Sequence, residues 1–112
     1  MRFYDQATPT SCVRACLASL LDLPLAGVPD LMAPRDGRGW ARVRAWLQAR
    51  GRKLIDVPDA RGCGFVLLRG VSPRGTRHCV IGRDDGIGVY VVHDPHPSRA
   101  GLVKIDRISD LV

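Results

Sequence analysis

An α+β fold, with N-terminal helices packed on an antiparallel β-sheet, is what this sequence predicts, and three observations predict it. Apolar residues recur at helical spacing in the first half, at Val13, Cys16, Leu17, Leu20 and Leu21 and again at Trp40, Val43, Trp46 and Leu47. The second half changes period, to short runs rich in β-branched residues. Helices first and strands afterwards argue for segregated layers instead of alternating βαβ units. With 112 residues, the chain has the length of one domain, expected to span 1–112.

Residues 1–11 are polar and turn-like, with Pro9 in a Thr-rich stretch. Thr10 or Ser11 is placed to cap the first helix. Asp22-Leu23-Pro24 ends it, because proline disfavours helical geometry in the residue before it. A short helical turn fits between Leu25 and Leu31, and residues 33–39 form a loop. The second helix carries the tryptophans and ends where Gly51 can act as its C-terminal cap. Strands are expected at Lys53–Val57, Phe65–Arg69, His78–Arg83, Ile87–His93 and Val103–Ile108. Asp84-Asp85-Gly86 is a hairpin signal between the third and fourth of these.

Composition narrows the function. The apolar share of 46% and charged share of 25% are those of a soluble globular protein, which excludes a disordered tail. No apolar run approaches the ~18–20 residues of a membrane span, so no membrane partner is expected. Met1-Arg2-Phe3-Tyr4-Asp5-Gln6 lacks the features of a signal peptide, which makes the cytoplasm the expected compartment and reduced thiols the expected state of Cys12, Cys16, Cys63 and Cys79. The net charge of +6 comes from 15 Arg and two Lys set against 11 Asp. The arginines are spread along the chain and aromatics are few, so nucleic acid is not an expected partner. With no Glu present, carboxylate chemistry falls to Asp.

Cys12 stands at the start of the first helix, where unpaired N–H groups and the helix dipole favour a thiolate. A small buried hydrophobe is the alternative role. Cys16, one turn further in, lies away from the positive end and fits that role better. If the hairpin loop centres on Gly86, Gly82 faces Tyr90, Val80 faces Val92, and His78 faces Asp94 with Cβ atoms ~5 Å apart. A loop one residue different sets His78 opposite His93 and moves Asp94 to the other face. A helix-start thiol, a strand histidine and an orienting carboxylate are the parts of a cysteine-nucleophile site. Gln6 can supply a side-chain N–H, and Cys12 its backbone N–H, to a developing oxyanion.

Gln6 six residues before Cys12, a Cys-opened apolar helix, His78 followed by apolar residues, and Asp94-Pro95 sixteen residues later resemble the papain-like cysteine peptidases. The resemblance covers residues 6–21 and 78–95, and is greatest to the bacteriocin-processing, double-glycine leader peptidase type. The chain also looks like small stand-alone papain-like proteins of bacteria and phages, in which a segment like Val92-His93-Asp94-Pro95-His96-Pro97 recurs. The resemblance implies a papain-like fold and a catalytic set of Cys12 as nucleophile, His78 as general base, Asp94 as orienting acid and Gln6 as oxyanion donor. It implies no cofactor and no metal, with a peptide or protein as substrate. The sequence departs from the family at Val13, where glycine is common, and at Ser11, where an acid or Asn is frequent. The family's transporter domain has no counterpart in the sequence, so its leader-peptide substrate does not carry over.

Two other readings compete. One is a papain-like binding module without turnover. The other is a metal site drawn from Cys12, Cys16, His78 and Cys79 or the later histidines, which lacks the paired Cys-x-x-Cys knuckles of structural zinc. His93 is expected to be packed or hydrogen-bonded on the face opposite His78, His96 to lie solvated in a Pro-flanked turn, and Trp40 and Trp46 to pack in the core.

Overall fold

The computed structural model describes residues 2–112, so the part of the N-terminal stretch that falls on Met1 lies outside the described residues. Helix α1 runs Cys12–Leu21 and helix α2 runs Gly39–Ala49, with a 3-10 turn at Leu25–Gly27 between them. Five strands follow: β1 Leu54–Val57, β2 Gly64–Val71, β3 Arg77–Asp84, β4 Val89–His93 and β5 Lys104–Leu111. They form one antiparallel sheet in the order β1-β5-β2-β3-β4. The α+β class and the expected segments are therefore present, with boundaries moved by a few residues.

The helices form where the apolar spacing placed them. Val13, Cys16 and Leu17 of α1 and Val43 and Leu47 of α2 are buried, and they pack against Leu67 of β2 and Cys79 and Ile81 of β3. Helix α1 ends at Asp22, which adopts left-handed geometry (φ 55°) and returns its N–H to Ser19. At the end of α2, Gly51 takes φ 70°, its N–H reaches the carbonyl of Gln48, and that of Arg52 reaches Leu47. This pair of bonds is the Schellman closure that glycine permits.

The opposite sheet face carries a smaller cluster, in which Val66, Leu68 and Val80 pack with Cys63, Val89, Leu102 and Ile108. Alternate residues of β2 and β3 therefore supply two apolar layers, which explains their nearly continuous burial.

Two local expectations are corrected. Ser11 occupies the N-cap position of α1, but its hydroxyl donates to the carbonyl of Thr8 and accepts the Thr8 N–H. The side chain is thus consumed by its own turn and does not cap the helix. The hairpin register also differs: Gly82 pairs with Val91 and Arg83 with Tyr90, one residue off the expected alignment. Asp85 makes the loop longer by accepting the N–H groups of Ile87 and Gly88. A bulge then follows, after which Ile81 pairs with His93. The extra residue, Val92, restores the parity that the longer loop lost.

Candidate active site

Helix α1, strand β3 and the segment after β4 meet at one end of the sheet. His78 stands near the start of β3, and Asp94 directly follows β4. Extended by one residue, the bulged ladder sets Asp94 opposite Val80, on the face that His78 shares with Val80. His78 therefore reaches Asp94 diagonally: its Nε2 lies 2.7 Å from Oδ1. Both side chains are buried, at 7% and 3% residue exposure.

Asp94 is fully engaged. Its Oδ1 also accepts the N–H of His96 at 2.9 Å, and Oδ2 accepts that of Gly101 at 2.7 Å. Burial pushes this carboxyl up, but the hydrogen bonds from His78, His96 and Gly101 outweigh it and hold the pKa below its ordinary 3.8. The acid is consequently ionised at neutral pH and fixes the proton of His78 on Nε2.

That leaves Nδ1 of His78 as the ring nitrogen that Asp94 does not take, and the Cys12 thiol lies close enough to the imidazole for each to shift the pKa of the other. Burial pulls the His78 pKa down, yet its bonds to Cys12 and Asp94 prevail and leave it above 6.5. Cys12 is half-buried and packs beside a second thiol, Cys79, whose sulfur is directed at Cys16 across 3.8 Å. Contact with Cys79 and then burial push the Cys12 thiol well above its ordinary 9.0; the bonds from His78 and the Cys79 backbone pull it down without reversing this. The helix-start position therefore does not yield the lowered pKa expected from sequence. The reason is local: with its S–H turned to Cys16, Cys79 presents an electron-rich sulfur to Cys12, and burial removes water from both.

The structure brings Cys12, His78 and Asp94 together; Gln6 stands nearby in a different pose. The Gln6 backbone N–H reaches the carbonyl of Pro95 at 3.0 Å, which docks the N-terminal segment on the site. Its side-chain Nε2, expected to face the oxyanion, instead donates to the Thr8 carbonyl at 2.9 Å, and its Oε1 is buried without a partner. The Cys12 N–H takes no part in the backbone hydrogen bonds of the adjoining turn, where Ser11 bonds Thr8 and Ala15 bonds Ser11.

Arg99 is a residue that sequence reasoning missed. It adopts φ 53°, donates to the Asp94 carbonyl at 2.6 Å and clasps Asp5 at 2.6 and 2.8 Å. It thereby ties the loop after Asp94 to the N-terminal segment. Its only sequence signal is position in the Ser98-Arg99-Ala100-Gly101 turn. His93 faces the helix side, stacks on Phe3 with ring centroids 5.0 Å apart, and bonds the Tyr4 carbonyl at 3.1 Å. An open depression of about 500 Å³ borders Asp94 from the side of Val91, Val92, Arg99 and Gly101; Cys12 and His78 do not line it. Among the described residues, no group of three or more His, Cys, Asp or Glu side chains is arranged to hold a metal ion. Among the same residues, no helix is long and apolar enough to cross a membrane.

Comparisons with protein-family models, curated proteins and solved structures found no match to this chain.

Proposed function

We propose that this chain is a papain-like cysteine hydrolase that cleaves a peptide, isopeptide or related amide bond. The observation that carries this reading is the convergence of a thiol, an imidazole and a buried carboxylate, with Asp94 on His78 Nε2 and Cys12 beside the same ring. His78 takes the Cys12 proton as the sulfur bonds the substrate carbonyl carbon. The tetrahedral intermediate collapses, the C–N bond breaks, and the amine leaves with the proton held by His78. Water, deprotonated by His78, then attacks the thioester, releases the acid and returns the proton to Cys12. Asp94 keeps the ring oriented and stabilises the imidazolium without taking its proton.

Because Cys12 is raised, the resting site holds a neutral thiol, and His78 acts as a true general base instead of one half of a preformed ion pair. The Cys12 N–H is one oxyanion donor, and the Gln6 amide, held on the Thr8 carbonyl by one of its two N–H groups, keeps the other for the same oxygen. All four cysteines are free, which suits a reducing, cytoplasmic setting for the nucleophile. The partner under this reading is a peptide or protein substrate.

A papain-like binding module without turnover is the second reading, and the tie of the Gln6 amide to the Thr8 carbonyl favours it. An electrophilic active-site probe followed by peptide mapping separates the two. Covalent capture at Cys12, together with digestion of a peptide library by the unaltered chain and not by Cys12→Ala, supports the hydrolase. Capture without any digestion supports the binding module.

A further inference from the structure

The segment that carries Gln6 is tied to both layers of the fold. Phe3 stacks on His93, the Tyr4 N–H donates to Ser19 Oγ of α1 at 3.0 Å, and the Gln6 N–H donates to the Pro95 carbonyl. Arg99 adds a clasp: it gives Asp5 two parallel hydrogen bonds, and the Nη1 that reaches Oδ1 also donates to the Asp94 carbonyl at 2.6 Å. One guanidinium nitrogen thus joins the residue before Gln6 to the residue that bonds His78. The loop that supplies Arg99 is built on Asp94, whose carboxylate accepts the His96 and Gly101 N–H groups. In this loop His96 is half-buried, unlike the solvated histidine expected from sequence. Arg99 itself holds φ 53°, a left-handed backbone that favours glycine, so a side chain here offsets a conformational cost. Beyond Asp5, Gln6 Nε2 and the Ser11 N–H share the Thr8 carbonyl, at 2.9 and 3.3 Å, which brings the amide to the residue preceding Cys12.

We propose that the Asp5–Arg99 clasp positions the oxyanion donor, with Arg99 acting on the reaction through Gln6. The inference rests on the hydrolase reading. As the Cys12 sulfur bonds the carbonyl carbon, the C=O electron pair moves onto oxygen, and the second Nε2–H of Gln6 donates to it. Such a donor stabilises the oxyanion only when it is held in place beforehand. Among the described residues, the Gln6–Pro95 bond is the one hydrogen bond besides the clasp that joins residues 2–8 to residues 94–101. Without Arg99 the Gln6 peptide can pivot about that bond. The Asp5 and Arg99 side chains are about half exposed, so their ion pair contributes little to stability, and its effect lies in placement. Arg99 and Asp5 are positioning residues; neither touches the reacting atoms.

Two reactions of Cys12 separate this role from support of the thiol–imidazole pair. Alkylation by iodoacetamide forms no oxyanion, whereas acylation by p-nitrophenyl acetate does. Arg99→Gly removes the clasp and relaxes the backbone. It is expected to leave alkylation unchanged and to slow acylation by roughly 10–10²-fold. Gln6→Ala is expected to slow acylation by roughly 10²–10³-fold. Adding Arg99→Gly to Gln6→Ala should then cause no further loss, because no amide remains to be placed. Losses that multiply in the double variant overturn the proposal, since Arg99 would then act by another route. Acylation of Arg99→Gly or of Gln6→Ala within about threefold of the unaltered chain also overturns it. So does an equal fall in alkylation and acylation, which would mean that the clasp only supports the fold around His78. Asp5→Asn, at an exposed position, carries the same test if Arg99→Gly does not fold. If the unaltered chain reacts at Cys12 with neither reagent, the hydrolase reading itself fails and takes this inference with it.

Discussion

The chemistry of Cys12 depends on which neighbour prevails. A helix start and an imidazole favour the thiolate, while Cys79 and burial oppose it more strongly. The alkylation rate of Cys12 is therefore expected to climb as pH rises through the His78 pKa, which lies above 6.5. A rate already at its plateau near about pH 5 would instead reveal a preformed ion pair. Asp94→Ala leaves the His78 Nε2 and two backbone N–H groups without an acceptor. Turnover of an activated ester is expected to fall by roughly 10²–10⁴-fold, and a loss below about threefold would remove Asp94 from the site. The same pair shapes stability against pH. The contribution of Asp94, whose pKa is lowered on folding, is present above 3.8 and disappears as pH falls through the folded value. That of His78, whose pKa is raised, is present below 6.5 and disappears as pH rises through the folded value. At this scale the sequence revealed Cys12, His78 and Asp94 as candidates. It concealed Cys79, because the approach of two thiols from different elements leaves no local pattern.

Among the elements, α1 and the β3–β4 hairpin do most to position the site. The unused capping capacity of Ser11 leaves the first N–H groups of α1 unclaimed by that side chain. The hairpin compensates one irregularity with another: a longer loop shifts the register, and the bulge shifts it again in time for Asp94. The turn residues made the hairpin legible, but Asp85 side-chain bonding and the bulge depend on tertiary fit and escaped prediction. Gly82 sits at that bulge. A Cβ there would collide with the buried side chain of Leu68 and lie 3.1 Å from the Tyr90 carbonyl. Gly82→Ala is expected to cost about 1–3 kcal/mol and to weaken the Asp94–His78 pairing by displacing β4. Chemical denaturation measures the first effect and ester turnover the second; a variant equal to the unaltered chain in both would remove the bulge from the account.

The whole molecule is organised by a sheet with apolar side chains on both faces. Leu67 of β2 faces the helices, while its neighbours Val66 and Leu68 face the smaller cluster. Because one strand feeds both layers, they are expected to unfold together. Leu67→Ala should cost about 2–5 kcal/mol in a single transition. Separate melting of the helical and sheet signals would contradict that coupling. The α+β class was legible in the order of patterns along the chain, since helical spacing ends before the long strands begin. The strand order β1-β5-β2-β3-β4 did not show, because the pairing of the last strand between the first two leaves no mark on local periodicity.

The central claim is that Cys12 is activated by His78 across two layers of the fold. It is tested most directly by the alkylation rate of Cys12 with iodoacetamide, followed by mass spectrometry in the unaltered chain and in His78→Ala, with Cys63 as the internal reference. Cys63 suits that purpose because it is half-exposed and its thiol is also raised, by burial and by Asp84 and Asp110. The account predicts that Cys12 outpaces Cys63 above the His78 pKa and loses roughly 10²-fold or more in His78→Ala, while Cys63 is unaffected. Equal rates for Cys12 in both proteins, no faster than Cys63, would contradict it.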